Sequence, residues 1–421
     1  MTTSVLIIVT VALLAFALAA TSDAQTGWSP REEVIERFEN HPQLASLYRE
    51  QDVPAYELPD ALAGVDGRSI DTAEAWRANR PALLELLREQ MFGRRPGQPE
   101  SLTFHTARRI DDALDGKATF RSIEVRSEHQ GREHRFELVI LTPNARGDGP
   151  VPAFVLIDFP RRGRDMTGPD ERGRWAPDVI VERGYAAAVI HGEDLAPDDA
   201  ERFTEGVIRL FEGDAAAGQR APDAWMTIAA WSWGASRAMD FFEQDEAIDA
   251  SRVAVVGHSR KGKTSLWAGA EDERFDVVIS NDSGCGGAAL SRRAYGETVK
   301  AINDRFPHWF TEHFKAYNER ENELPFDQHQ LIALSAPRAV YVASADEDLW
   351  ADPRGEYLAL AHASRVWGLW GHDALDPEAM PGLDAPVTTG VLGYHIRSGG
   401  HALTRYDWQR YLDFAAARWG R

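Results

Sequence analysis

The sequence predicts an α/β protein: a three-layer sandwich whose central sheet is mostly parallel and starts with antiparallel strands. Three observations carry this. Short continuous apolar runs recur after Pro152, at Ala153–Ile157, Ala186–Ile190, Val253–Val256, Val277–Ile279 and Ala339–Ala343. Helical stretches separate most of them, and strands apolar on both faces belong in a parallel sheet covered on both sides. Ahead of them, between residues 100 and 142, the pattern has a period of two.

In chain order, Val5–Ala20 is apolar and uncharged. It is shorter than the ~20 residues a comfortable transmembrane helix needs. Small residues at Ala17 and Ala19, or at Ser22 and Ala24, offer cleavage sites. Residues 1–24 therefore read as a signal peptide, although no Lys or Arg precedes the run, and the mature chain is expected to be secreted or periplasmic. The alternative is an uncleaved anchor. Residues 25–421 read as one catalytic domain, with a helical N-terminal cap over about 25–100. In the cap, Trp76–Phe92 carries Leu83, Leu84, Leu86 and Leu87 at helical spacing, and Gly93 ends it. Phe120, Glu124 and Arg126 lie in one alternating stretch, and Phe136, Leu138 and Ile140 in the next. The turn His129-Gln130-Gly131-Arg132 between them makes an antiparallel hairpin. Trp225–Phe242 and Tyr406–Trp419 read as helices. An antiparallel start followed by parallel βα units points to an α/β-hydrolase-like sheet, which fixes no activity.

Of 421 residues, 43% are hydrophobic and 27% charged, so disordered, collagenous and polytopic-membrane chains are excluded. Lys and Arg total 46 against 66 Asp and Glu, a net charge of −20. That balance argues against a wide grip on nucleic acid or an anionic membrane, and leaves room for a small cationic site. The single cysteine, Cys285, allows no internal disulfide. Without zinc spacing, a Ca²⁺ loop or a dinucleotide fingerprint, no metal or cofactor is expected. The mature chain is expected to be a monomer with no stable membrane association.

The most informative stretch is Arg252-Val-Ala-Val-Val-Gly-His-Ser-Arg-Lys-Gly-Lys-Thr264. Gly257, Gly262, Lys263 and Thr264 fit the phosphate-binding loop G-x-x-x-x-G-K-[ST], which would make this a nucleotide-binding protein. Gly257-His258-Ser259 also fits a nucleophile elbow, with a serine on a sharp strand-to-helix turn and helix N–H groups where an oxyanion would develop. The usual G-x-S-x-G is not met, because Lys261 stands where the second glycine belongs. A βα turn with no chemistry is the third reading. Arg260, Lys261 and Lys263 crowd the first helical turn, where the macrodipole disfavours cations. A bound anion would explain them; otherwise they snorkel into solvent.

Gly257-His-Ser-Arg-Lys-Gly-Lys263 resembles the G-x-S-R-x-G-K motif of the glucuronoyl esterases, carbohydrate esterase family fifteen. Ser280-Asn-Asp-Ser-Gly-Cys-Gly-Gly-Ala-Ala-Leu-Ser-Arg-Arg293, Phe306-Pro-His-Trp-Phe310, Ala336-Pro-Arg338, Ala343-Ser-Ala-Asp-Glu-Asp-Leu-Trp-Ala-Asp-Pro-Arg354, Asp223-Ala-Trp and Ala230-Trp-Ser-Trp-Gly234 are similar to its bacterial branch. The resemblance covers most of the chain after about residue 55. One departure is Ile157-Asp-Phe-Pro-Arg-Arg-Gly163, where the family usually has an Asn-Phe-x-Gly-Asn stretch.

A serine nucleophile needs a base, and the base an orienting acid. In this fold the chain order is Ser, acid, His. Of 13 histidines, only His362, His372, His395 and His401 follow the Asp346–Asp348 loop. His401 lies between Ser398-Gly-Gly400 and the last helix, and the family's late histidine maps onto it. His395, in an apolar segment, reads as packed. Asp348 and Asp282 both follow strands. The family places its acid at either strand end, and Asp348 is preferred here as the principal acid. Asp346 and Glu347 read as a solvated acidic turn. The resemblance implies a D-glucuronate ester substrate, 4-O-methylated on glucuronoxylan and esterified to a lignin alcohol. It maps Lys263, Glu297 and Trp350 onto sugar contacts, gives Arg260 to the oxyanion, and leaves Trp309 to line the cleft. The alternatives are the nucleotide-binding reading over Gly257–Thr264, another carbohydrate esterase such as an acetyl xylan esterase, and a carbohydrate-binding protein with a dead site.

Overall fold

The computed structural model describes residues 27–420 except 146, 148, 161, 162 and 215–218. The expected signal peptide lies outside the described residues. The strands are β1 (Ser101–Ala113), β2 (Ala118–His129), β3 (Arg132–Pro143), β4 (Val151–Asp158), β5 (Ala186–His191), β6 (Ile248–His258), β7 (Val277–Asn281), β8 (Ala339–Ala345), β9 (Val387–Thr388) and β10 (Leu392–Arg397). They form one sheet in the order β1-β2-β3-β5-β4-β6-β7-β8-β10-β9. From β5 to β10 neighbouring strands are parallel, while β1, β2, β3 and β5 pair antiparallel. This is the expected α/β-hydrolase-like arrangement.

The continuous apolar runs have the expected cause. Ala153, Val155 and Ile157 of β4 enter one core cluster with Trp231 and Trp267, while Phe154 and Leu156 enter a second with Trp408 and Tyr411. Strands of this kind thus bury both faces under helices, at roughly 1.5–3 kcal/mol per fully buried large side chain. The hairpin forms as expected, with His129 opposite Arg132. Three strands escape the sequence reading, among them β9, whose two residues are too few to show a period. β1 is an edge strand, exposed along most of its length, so its apolar alternation is weak. β10 is fully buried yet carries His395 and Arg397, which break its apolar run.

The cap helix runs over Ala73–Leu87, opened by the Thr72 hydroxyl accepting from Ala75 N, and continues as a π turn over Arg88–Phe92. Trp76, Leu83, Leu84 and Leu87 face inward at helical spacing. Phe92 stacks on Trp267 at 4.2 Å. The buried Arg80 guanidinium donates to the Ala270 carbonyl at 2.6 Å, satisfying the end of the helix Arg260–Glu271. The cap therefore clamps the helix that follows the candidate nucleophile. Among the described residues, no helix is long and apolar enough to cross a membrane.

Candidate active site

Ser259 sits on the turn between β6 and the helix Arg260–Glu271, with φ +59° and ψ −127°. Such a conformation costs an L-residue on the order of 1–3 kcal/mol and persists only when its surroundings impose it. They do so here by close approach. A Cβ on Gly257 would overlap the Lys261 carbonyl, and one on Gly262 would lie 2.9 Å from the Ser283 Cβ. Ser259 N donates to Asn281 O at 2.8 Å, tying the elbow to β7. Gly262 and Lys263 N–H groups both go to the Ser259 carbonyl, so the helix closes at once and leaves no wide loop to cradle a phosphate. This is an elbow, not a phosphate-binding loop.

Asp282 follows β7, Asp348 follows β8 and His401 follows β10, beyond the carboxyl ends of the three strands that succeed β6 across the sheet. His401 Nε2 lies 2.8 Å from Ser259 Oγ, and its Nδ1 lies 2.5 Å from Asp348 Oδ2. A carboxylate only accepts, so Nδ1–H donates to Asp348 and Nε2 accepts from the hydroxyl. Burial pushes the His401 pKa down, but the Asp348 charge and hydrogen bond outweigh it, and the net direction is up from 6.5. The acid limb of kcat/KM, which tracks neutral His401, should therefore lie above an ordinary histidine's pKa; a pH–rate profile with its limb below 6.5 would contradict this coupling.

Asp282 lies near this pair but makes no hydrogen bond to the ring. Oxygen or nitrogen atoms of Asp282, Asp348 and His401 lie within 4.8 Å of one another. Asp282 is buried, has φ +44°, and takes Arg397 Nη2 at 3.4 Å. Burial and the Asp348 charge raise its pKa well above the usual carboxylate range. The three groups could face a cation, but both ring nitrogens of His401 already have partners, which leaves only the carboxylates.

All nine residues singled out in the sequence line one cleft of about 500 Å³: Ser259, Arg260, Lys263, Asp282, Glu297, Trp309, Asp348, Trp350 and His401. A larger hollow of about 680 Å³, over Phe159, Arg164 and Arg174, contains none of them. The variant stretch after Ile157 borders that hollow; its residues 161 and 162 lie outside the described residues.

The clustered cations do not snorkel. Lys263 is buried, donates to the Ser283 carbonyl, and stands 3.9 Å from Glu297 Oε2. Burial lowers its pKa while Glu297 opposes the shift. Glu297 is raised by burial, against Lys263 and a hydrogen bond with the Trp350 side chain. Lys261 is fully buried over the Trp231 ring and 3.3 Å from Glu193, and burial lowers it to about 8. Acids of this chain explain much of the cluster without an external anion.

Asp346 is not the solvated turn expected from sequence. It is buried, accepts from Gly399 N at 2.7 Å, and so holds the His401 loop. Glu347 fits the expectation better, being partly exposed and paired with Arg31 and Arg37 of the N-terminal segment.

A family model described as "Glucuronyl esterase, fungi" matches residues 125–371. A carbohydrate esterase, MZ0003, from an unknown prokaryotic organism is 39% identical over 399 residues, covering 87% of this chain and 91% of that one. The chain belongs to the glucuronoyl esterase family. It is a carboxylic ester hydrolase by class. A glucuronoyl esterase structure from Solibacter usitatus matches with a TM-score of 0.80 at 40% identity, covering 88% of this chain and all of that one. The 4-O-methyl-glucuronoyl methylesterase of Podospora anserina is 27% identical over 334 residues, covering 76% of this chain and 62% of that one.

This family member also has supporting residues that sequence reasoning missed. Arg397 donates to the carbonyls of Ser398, Gly400 and Ala402 on either side of His401, and is itself held by Asp407. Its signal was a cation at the end of an apolar run. Glu356 accepts from Ser283 N, Gly284 N and Ser344 Oγ, joining the loop after β7 to the end of β8. Burial raises it to about 7. His258 packs 4.5 Å from His401 and is held neutral, first by burial and then by the His401 charge.

Proposed function

We propose that this esterase hydrolyses esters of D-glucuronate, 4-O-methylated on glucuronoxylan and linked to lignin alcohols, outside the cytoplasm. The observation that carries the reading is the continuous Ser259–His401–Asp348 hydrogen-bond chain opening onto Lys263, Glu297 and Trp350 in one cleft. Ser259 attacks the C6 carbonyl while His401 takes its proton. Asp348 orients the ring and balances the imidazolium. The first N–H groups of the helix and the Arg260 guanidinium face the developing oxyanion. His401 then gives its proton to the departing alcohol, and water releases glucuronate from the acyl-enzyme. Lys263 and Glu297 offer a donor and an acceptor to sugar hydroxyls, and Trp350 a flat wall with one N–H. The Val5–Ala20 run supports export, and the net charge of −20 argues against a nucleic-acid partner.

Assays of benzyl glucuronate beside a simple acetyl ester test this. Lys263→Ala should cut kcat/KM on the glucuronate ester about ten- to a hundredfold, the worth of one charge-assisted hydrogen bond of ~1.5–3 kcal/mol, and spare the acetyl ester. Equal losses on both would remove Lys263 from sugar recognition. Acetyl ester hydrolysis without glucuronate ester hydrolysis would overturn the substrate assignment.

A further inference from the structure

Arg260 carries a long cation into the cleft beside Ser259, and such a side chain loses rotamer entropy when fixed. An oxyanion donor works only if it is already aimed, because its worth comes from needing no reorganisation during reaction. The structure holds this guanidinium on several sides. Its central carbon lies 4.6 Å from the Trp309 ring centroid, 4.9 Å from Phe306 and 5.8 Å from Phe159. Phe306 and Trp309 are themselves stacked at 3.7 Å and 2°. Because these two rings face each other, a carbon at nearly equal distance from both centroids lies at the rim of the stack and not over a face, a contact that limits where the guanidinium sits but not how it turns.

The turning is stopped by Asp198, which lies beyond β5 and was not among the residues the sequence suggested. Its Oδ2 accepts from Arg260 Nη1. Its Oδ1 accepts from Trp309 Nε1 at 2.7 Å and meets His308 Nε2 at 2.9 Å. Burial pushes this carboxyl up, but the His308 hydrogen bond and the Arg260 and Lys261 charges bring it well below the usual carboxylate range. It therefore stays ionised wherever His401 can act as a base. Asp198 spends one oxygen on the cation and the other on the Trp309 indole that borders it. The Arg260 Nε, buried and without a hydrogen-bond partner, belongs to the part of the guanidinium that Asp198 leaves unused.

We propose that Asp198 is a positioning residue for ester hydrolysis, locking the Arg260 guanidinium against Trp309 so that it already faces the oxyanion when Ser259 attacks. This rests on the role given above to Arg260, but not on the identity of the sugar. Every ester passes through the same tetrahedral oxyanion, so the effect is independent of the acyl group.

The test is a mutant cycle of Asp198→Asn and Arg260→Met, read on benzyl glucuronate and on an acetyl ester. Removing one direct oxyanion donor costs about 10²–10³ in kcat. Asp198→Asn, acting through the arginine, should lower kcat about ten- to a hundredfold on both esters, with KM changed less than about threefold. In the Arg260→Met background the same change should do almost nothing, because the two groups serve one function. Asp198→Glu, which keeps the carboxylate, should fold and recover part of the loss; it replaces Asp198→Asn in the cycle if that variant does not fold. Equal losses with and without the arginine, or a loss in KM alone, would overturn the proposal. Failure on the glucuronate ester with an intact cycle on the acetyl ester would overturn the substrate assignment instead.

Discussion

Asp348→Asn should lower kcat on benzyl glucuronate by about four orders of magnitude while the protein stays folded. The reason is the 2.5 Å bond between His401 Nδ1 and Asp348 Oδ2. An amide carries no charge to balance the imidazolium. If its NH₂ faces the ring, it also forces Nδ1 to accept, which moves the ring proton to Nε2, where the serine proton must go. Asp282→Asn should cost far less. Its carboxyl makes no hydrogen bond to the ring, and burial beside Asp348 favours its protonated form. The Asp348 variant should also shift the acid limb of the residual activity to lower pH, because the raising influence on His401 is gone. Near-full kcat in Asp348→Asn, with Asp282→Asn folded and inactive, would exchange the two roles. If the carboxylates share the task, each single change is modest and the double variant loses far more than the product of the two.

Gly257→Ala should be strongly damaging. The added methyl overlaps the carbonyl of Lys261, a backbone atom in the first turn of the elbow helix. Neither partner is a flexible side-chain end, so relief requires opening the turn that holds Ser259. A cost of about 4 kcal/mol or more is expected, in the range reserved for overpacking and backbone strain. The melting temperature and kcat should fall together. Gly116→Ala is the control. Gly116 has φ +80° with nothing within 4 Å of its added methyl, so only backbone strain of roughly 1 kcal/mol should appear and activity should be kept. A Gly257→Ala protein with native melting temperature and kcat would show that the elbow is not held by this contact.

Much of the site was legible because its chemistry is written locally. The elbow motif names Ser259 within a few residues, and the late Gly-Gly-His step marks His401. All nine suggested residues meet in one cleft. The choice between Asp282 and Asp348 was not legible. Both follow adjacent parallel strands, and a difference of a few ångströms decides which one reaches the ring. The acidic turn was misjudged for the same reason. Asp346 and Glu347 are chemical neighbours in sequence, yet Asp346 turns in to grip Gly399 and Glu347 turns out to Arg31 and Arg37.

Periodicity and composition alone were enough for the layer architecture, since an apolar run registers which faces of a strand are buried. They failed at β1, which an open edge leaves mostly exposed, and at β10, whose buried His395 and Arg397 are satisfied by Asp407. The positioning groups belong to folding in three dimensions. Asp198 lies 62 residues from Arg260 and 111 from Trp309. No local pattern records a pairing over such distances. A buried charge looks like any surface charge until the chain closes around it, and only then does the cost of desolvation require the partner that aims it.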